Sequence, residues 1–83
     1  MTITVRFFAA IREAVGTPLL TLDSQASTVG ALRDELIGQG GVWAEALARG
    51  RSVRVSLNQV MVDESAALER GAEVAFFPPV TGG

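Results

Sequence analysis

Ser27-Thr28-Val29-Gly30-Ala31-Leu32-Arg33-Asp34-Glu35-Leu36-Ile37 decides how the rest of the chain is read. Val29, Leu32, Leu36 and Ile37 recur at i, i+3, i+7 and i+8, which is one face of a helix. Ser27 or Thr28 supplies its N-cap, because a hydroxyl accepts from N–H groups that the first turn leaves unpaired. Gly38, Gly40 and Gly41 stop it. Gly38-Gln39-Gly40-Gly41 follows a helix instead of opening one, so it reads as a stop and not as a phosphate cradle.

Working outward, the apolar residues alternate. Thr2 to Phe7 places Ile3, Val5 and Phe7 on one face and Thr2, Thr4 and Arg6 on the other, a strand with one buried face. Ala9 to Val15 reads as a short helical turn closed by Gly16. Leu19 to Leu22 is a second strand, forming a hairpin with the first. Beyond the main helix, Val42 to Arg49 can form a second, shorter one, with Trp43 and Leu47 at i and i+4. Trp43 reads as a core or edge-packing residue. Ser52 to Leu57 alternates again, with Val53, Val55 and Leu57 sharing a face. Asn58-Gln59 is a tight turn into Val60-Met61-Val62. Ser65 to Leu68 reads as a short helical turn, Glu69-Arg70-Gly71 as a turn, and Glu73 to Phe77 as the last strand. Strand, strand, helix, strands is the order of an α+β fold. A mixed sheet packs on one main helix, with a second short helix; the β-grasp (ubiquitin-like) arrangement has this order. Residues 1–79 form the domain and 80–83 a slim tail leaving it, since Pro78-Pro79 cannot continue a sheet ladder.

Composition narrows the function. Eighty-three residues make one small core, and 48% apolar content with a mean hydropathy of +0.34 argues against disorder. Short apolar runs and the lack of a signal-peptide pattern point to a cytoplasmic protein with no membrane partner. Net charge of −2 leaves no footprint for nucleic acid. The chain contains no cysteine, histidine or tyrosine, and all seven basic residues are arginine. Thiolate and imidazole chemistry, Cys or His metal sites and Schiff-base lysines are therefore excluded, and no metal site is expected. Glu13, Asp34-Glu35 and Asp63-Glu64 read as solvated surface charge, and Arg12 as a solvated arginine.

Two features remain. If Val60 and Val62 point inward, Met61 points out; if Val74 and Phe76 point inward, Ala75 and Phe77 point out; Phe8 follows Phe7 onto the outer face. Phe8, Met61 and Phe77 then form an apolar set on the far side of the sheet, a candidate surface for a partner. The second feature is Gly82-Gly83. Two residues without Cβ atoms fit a narrow channel, and the α-carboxylate of Gly83 is the reactive group to expect in a chain so poor in catalytic side chains. Adenylation would turn that carboxylate into a mixed anhydride open to a sulfur donor or an amine.

Glu73-Val74-Ala75-Phe76-Phe77-Pro78-Pro79-Val80-Thr81-Gly82-Gly83 closely resembles the C-terminal signature of the molybdopterin synthase small subunits, the MoaD family of sulfur carriers. Val5-Arg6-Phe7-Phe8-Ala9, Arg12-Glu13, Gly16 and Asn58-Gln59 are similar to that family's opening and mid-chain turn. The family usually has Gly-Asp before the last strand; here Ala72 follows Gly71, which puts a turn hydrogen bond in doubt. The resemblance implies a non-catalytic sulfur-donor subunit of a sulfurtransferase in molybdenum cofactor biosynthesis. The resemblance implies no cofactor bound by the chain itself. A MoeB-like adenylating enzyme would use ATP to activate Gly83, behind Gly82, and a sulfur-transfer step would leave a thiocarboxylate. The tail would then enter the active site of a MoaE-like large subunit, within a heterotetramer, and give its sulfur to cyclic pyranopterin monophosphate to build the dithiolene. Phe8, Met61 and Phe77, with Pro78, Pro79, Val80 and Thr81, are the partner-binding residues it implies. Other readings are a sulfur carrier for thiamin or for tRNA thiolation, a ubiquitin-like modifier, and a binding module with an inert tail.

Overall fold

A computed structural model describes residues 1–79. In chain order the elements are β1 (Thr2–Phe7), α1 (Ala9–Val15), β2 (Leu19–Asp23), α2 (Val29–Ile37), α3 (Gly41–Ala46), β3 (Arg54–Leu57), β4 (Val60–Val62) and β5 (Glu73–Phe77). The strands form one sheet in the order β2-β1-β5-β3-β4. β1 and β5 run parallel at its centre, and every other pairing is antiparallel. With α2 packed across one face, this is the β-grasp arrangement. No helix among the described residues is long and apolar enough to cross a membrane.

Each element forms for a local reason. The Thr28 hydroxyl, not that of Ser27, accepts from the Ala31 N–H at 3.1 Å and caps α2. Gly16 closes α1 at φ 81°, its N–H donating to the Arg12 carbonyl at 2.9 Å. Asn58 and Gln59 both have positive φ, 50° and 69°. That is the geometry a two-residue hairpin needs to match strand twist. Asn58 also ties the hairpin to β5: its N–H donates to the Glu73 carbonyl at 2.7 Å, and its Oδ1 accepts from the Glu73 N–H at 2.9 Å.

The core lies between sheet and helices. Ile3, Val5, Phe7, Val74 and Phe76 meet Val29, Leu32, Leu36 and Leu47, all essentially excluded from solvent. Trp43 packs on Phe7 with ring centroids 5.4 Å apart.

Several expectations change. β3 begins at Arg54, and α3 ends at Ala46 instead of Arg49. Residues 65–68 are not helical. Their backbone pairs with the segment before α2, Val29 N–H to the Ala66 carbonyl at 3.0 Å and Leu68 N–H to the Ser27 carbonyl at 2.9 Å. Those bonds satisfy the groups a helical turn would have used. Val60 faces the helix side by register, opposite Leu57, yet is 62% exposed, because β4 is an edge strand packed chiefly against β3. Ala75 faces outward but is buried between its neighbours on β1 and β3. Ala72 joins the core in place of an aspartate, and its N–H still closes the turn onto the Glu69 carbonyl at 3.1 Å.

The largest surprise is Arg33, which is 3% exposed. Its Nε donates to the Leu47 carbonyl at 2.8 Å, and its Nη2 to those of Ala48 at 2.7 Å and Arg51 at 3.2 Å. Its Nη1 meets Glu64 at 2.7 Å. Arg49 joins Glu64 to Asp34 on the outside of this cluster. Glu64 is therefore the structural partner of a buried arginine, not free surface charge, while Asp34 stays solvent-exposed beside Arg49. Glu64 sits so close to Gly30 that a Cβ there would meet it at 3.2 Å, which explains a glycine in the first turn of α2.

Candidate functional site: the outer face of the sheet

The face of the sheet turned away from α2 carries the apolar set. β-Pairing brings Leu19, Arg6, Ala75, Ser56 and Met61 into one row across all five strands. Residues paired across strands share a face. Phe77 and Arg54 form the next row, with Phe8 beyond the end of β1. Phe8 keeps the strand geometry, φ −128° and ψ 154°, and its N–H continues the ladder to the Phe76 carbonyl at 3.2 Å. Its ring therefore points outward, meeting Phe77 edge-on with centroids 6.1 Å apart.

Ala75 and Ser56 are small, so the middle of the row is low. Phe8 and Phe77 wall it on one side and Met61 on the other, leaving a shallow depression of about 480 Å³. Phe8 is 44% and Met61 52% exposed, while Phe77 is half-buried. Arg6 and Glu73 pair at 3.1 Å along its edge. The chemistry on offer is apolar area, one compensated ion pair and, beside Phe77, the exposed Arg54, a combination suited to binding. Burying large apolar side chains on a partner contributes about 1.5–3 kcal/mol each, less where burial is already partial. Away from this face, Ser65 donates its hydroxyl and N–H to Asp63 and holds that carboxyl below the ordinary carboxylate range.

The structure thus brings Phe8, Met61 and Phe77 together as read from alternation. Pro78 and Pro79 do not join them. They stay half-buried and line a separate cleft of about 310 Å³ against α1, with Ile11, Ala14 and Val53. Val80, Thr81, Gly82 and Gly83 lie outside the described residues. Two residues of the face were missed by sequence reasoning, Leu19 and Arg54. Leu19 is 45% exposed opposite Arg6. The signal for it is the β1–β2 register: pairing Leu20 with Val5 and Leu22 with Ile3 turns Leu19 outward.

Residues 5–83 match the model of the ThiS family. The molybdopterin synthase sulfur carrier subunit of Escherichia coli is 46% identical over 81 residues, covering 98% of this chain and 99% of that one. Its namesake from Haemophilus influenzae is 42% identical over 79 residues, covering 95% and 96%. Among solved structures, SAMP1 from Haloferax volcanii superposes with a TM-score of 0.77 at 27% identity over the full length of both chains. A chain from the complex of subunits 1 and 2 of molybdopterin-converting factor from Helicobacter pylori superposes at 0.69 with 26% identity, again over both full lengths.

Proposed function

The chain belongs to the ThiS family, and from that we propose that it is the sulfur carrier subunit of a molybdopterin synthase. The observation that carries this reading is its identity of 42% and 46% with two relatives of that name along nearly their whole length. SAMP1 is a modifier by name. At 27% identity it favours the shared fold over a shared role, so the modifier, thiamin and tRNA-thiolation readings stand behind.

In this proposal Gly83 is the carrier site and Gly82 keeps its approach slim. The Gly83 carboxylate attacks the α-phosphorus of ATP on a MoeB-like adenylating enzyme, and pyrophosphate leaves. Sulfide-level sulfur then attacks the carbonyl carbon and displaces AMP, and a C-terminal thiocarboxylate results. The Helicobacter pylori complex of two subunits supports a large-subunit partner, and in this proposal the outer face, through Phe8, Met61 and Phe77, is what docks the carrier on it. Val80 and Thr81 follow the tail into that subunit's site, where cyclic pyranopterin monophosphate receives the sulfur. Any imidazole, thiol or amine that the chemistry uses comes from the partners, because this chain has no histidine, cysteine or lysine. The need for ATP places the activation in the cytoplasm.

Mass spectrometry tests the carrier site. In cells making molybdenum cofactor, the peptide 71–83 released by cleavage after Arg70 gains the mass of one sulfur replacing one oxygen. It contains no methionine, so methionine oxidation, which adds the same nominal mass, is excluded. A chain lacking Gly83 keeps its melting temperature and supports no molybdopterin synthesis. Full synthesis by that truncated chain overturns the proposal.

A further inference from the structure

The outer face carries two cations in unequal states. Arg6 lies beside the depression with Glu73 at 3.1 Å, so its charge is already answered. Arg54 is exposed and paired across the ladder with Phe77, at the edge of the aromatic wall. No carboxylate among the described residues forms a salt bridge with it. It lies on β3, between β5 and the edge strand β4, and is open to solvent.

From this placement we infer that Arg54 is a specificity determinant of the docking face, and that the partner presents a carboxylate beside the apolar surface that covers Phe77. The inference rests on the docking role proposed above and adds its electrostatic half. Apolar contact with Phe8, Met61 and Phe77 supplies affinity but little choice, since any apolar surface of suitable shape would be accepted. A charge at the rim supplies choice: it speeds encounter with an acidic surface and penalises a basic one. Arg6 serves less well, because a partner acid would have to compete with Glu73. Arg54 suits the task by position. It adjoins the aromatic pair, so a carboxylate meeting it fixes the register of the aromatic contact, and its planar guanidinium can take that carboxylate bidentately.

The experiment measures binding of the full chain to the large synthase subunit from the same genome, across a series of salt concentrations. Four variants accompany the wild type, each checked for folding by circular dichroism. Arg54→Glu is expected to weaken binding about three- to tenfold at low salt, mainly through slower association, and Arg54→Gln to lie between it and the wild type. The difference closes at about 0.5 M salt, where screening is nearly complete over a few ångströms. Arg70→Glu makes the same change in net charge at an exposed turn before β5, and is expected to bind like the wild type. Phe77→Asp is expected to abolish binding at every salt concentration. Loss with Phe77→Asp but wild-type binding by both Arg54 variants overturns the role of Arg54 and leaves the docking face standing. Equal losses for Arg54→Glu and Arg70→Glu overturn it too, as the effect is then one of net charge. Wild-type binding by Phe77→Asp removes the docking face itself.

Discussion

Ala9 sets the direction in which Phe8 points. It has φ 50°, a left-handed conformation that costs a residue with a Cβ about 1–2 kcal/mol. The bend lets β1 run one residue past Phe7, keeping Phe8 in the ladder, before the chain turns into α1. Alanine is the smallest residue that pays this strain, and a β-branched one would clash further. Ala9→Val is expected to lower stability by about 1 kcal/mol or more, whereas Ala9→Gly leaves it equal or slightly higher, because relief of strain offsets the entropy of glycine. Urea denaturation of the two variants checks this; equal stabilities would show Ala9 to be unstrained. At this scale the sequence is legible wherever a residue answers to its chain neighbours. The α2 cap, narrowed to Ser27 or Thr28, the Gly16 stop and the Asn58-Gln59 turn were all readable. The left-handed Ala9 was not, since alanine carries no mark of a conformation imposed by the sheet on one side and α1 on the other.

α2 shows where periodicity stops being informative. Its apolar stripe predicts burial of Val29, Leu32, Leu36 and Ile37, of which the first three are buried and Ile37 partly so, and leaves Arg33 on the polar side. Arg33 is buried because its acceptors come from elsewhere: Leu47 lies 14 residues away and Glu64 31 residues away. The guanidinium clamps α2 to the segment after α3 and to the loop after β4. Arg33→Ala would leave the Leu47 and Arg51 carbonyls without the donor they have in Arg33 and strip Glu64 of its buried partner, leaving it only Arg49, and is expected to cost about 3 kcal/mol. Arg33→Lys should recover little, as one ammonium cannot reach four acceptors in a planar fork. Thermal denaturation measures both; a lysine variant as stable as the wild type would show that charge alone suffices. The same limit explains residues 65–68, whose helical pattern gave way to backbone bonds offered by residues 27–29.

Phe7 and Phe8 summarise the whole molecule, because adjacent residues of one strand serve its two faces. Phe7 is 1% exposed within the core, and Phe8 is 44% exposed on the outer face. Phe7→Ala is expected to cost about 3–5 kcal/mol, much of what a domain of this size has. Phe8→Asp should shift stability by well under that and weaken binding to the large subunit instead. Denaturation and binding measured on both variants separate the faces; a Phe8→Asp chain as unstable as Phe7→Ala would place Phe8 in the core. Local pattern already carried the α+β order, the inward set, the outward trio and the reduced chemistry of a chain without cysteine, histidine or lysine, since these follow from alternation, helical spacing and composition. Strand order and register came from folding: they put Leu19 on the outer face and Arg54 beside Phe77, bury Ala75, leave Val60 exposed and send Pro78-Pro79 to a different cleft. The reason is physical. A residue's periodicity states which side of its own element it is on, but its neighbours across a sheet or against a helix are chosen by hydrogen-bond pairing and packing between segments far apart in the chain.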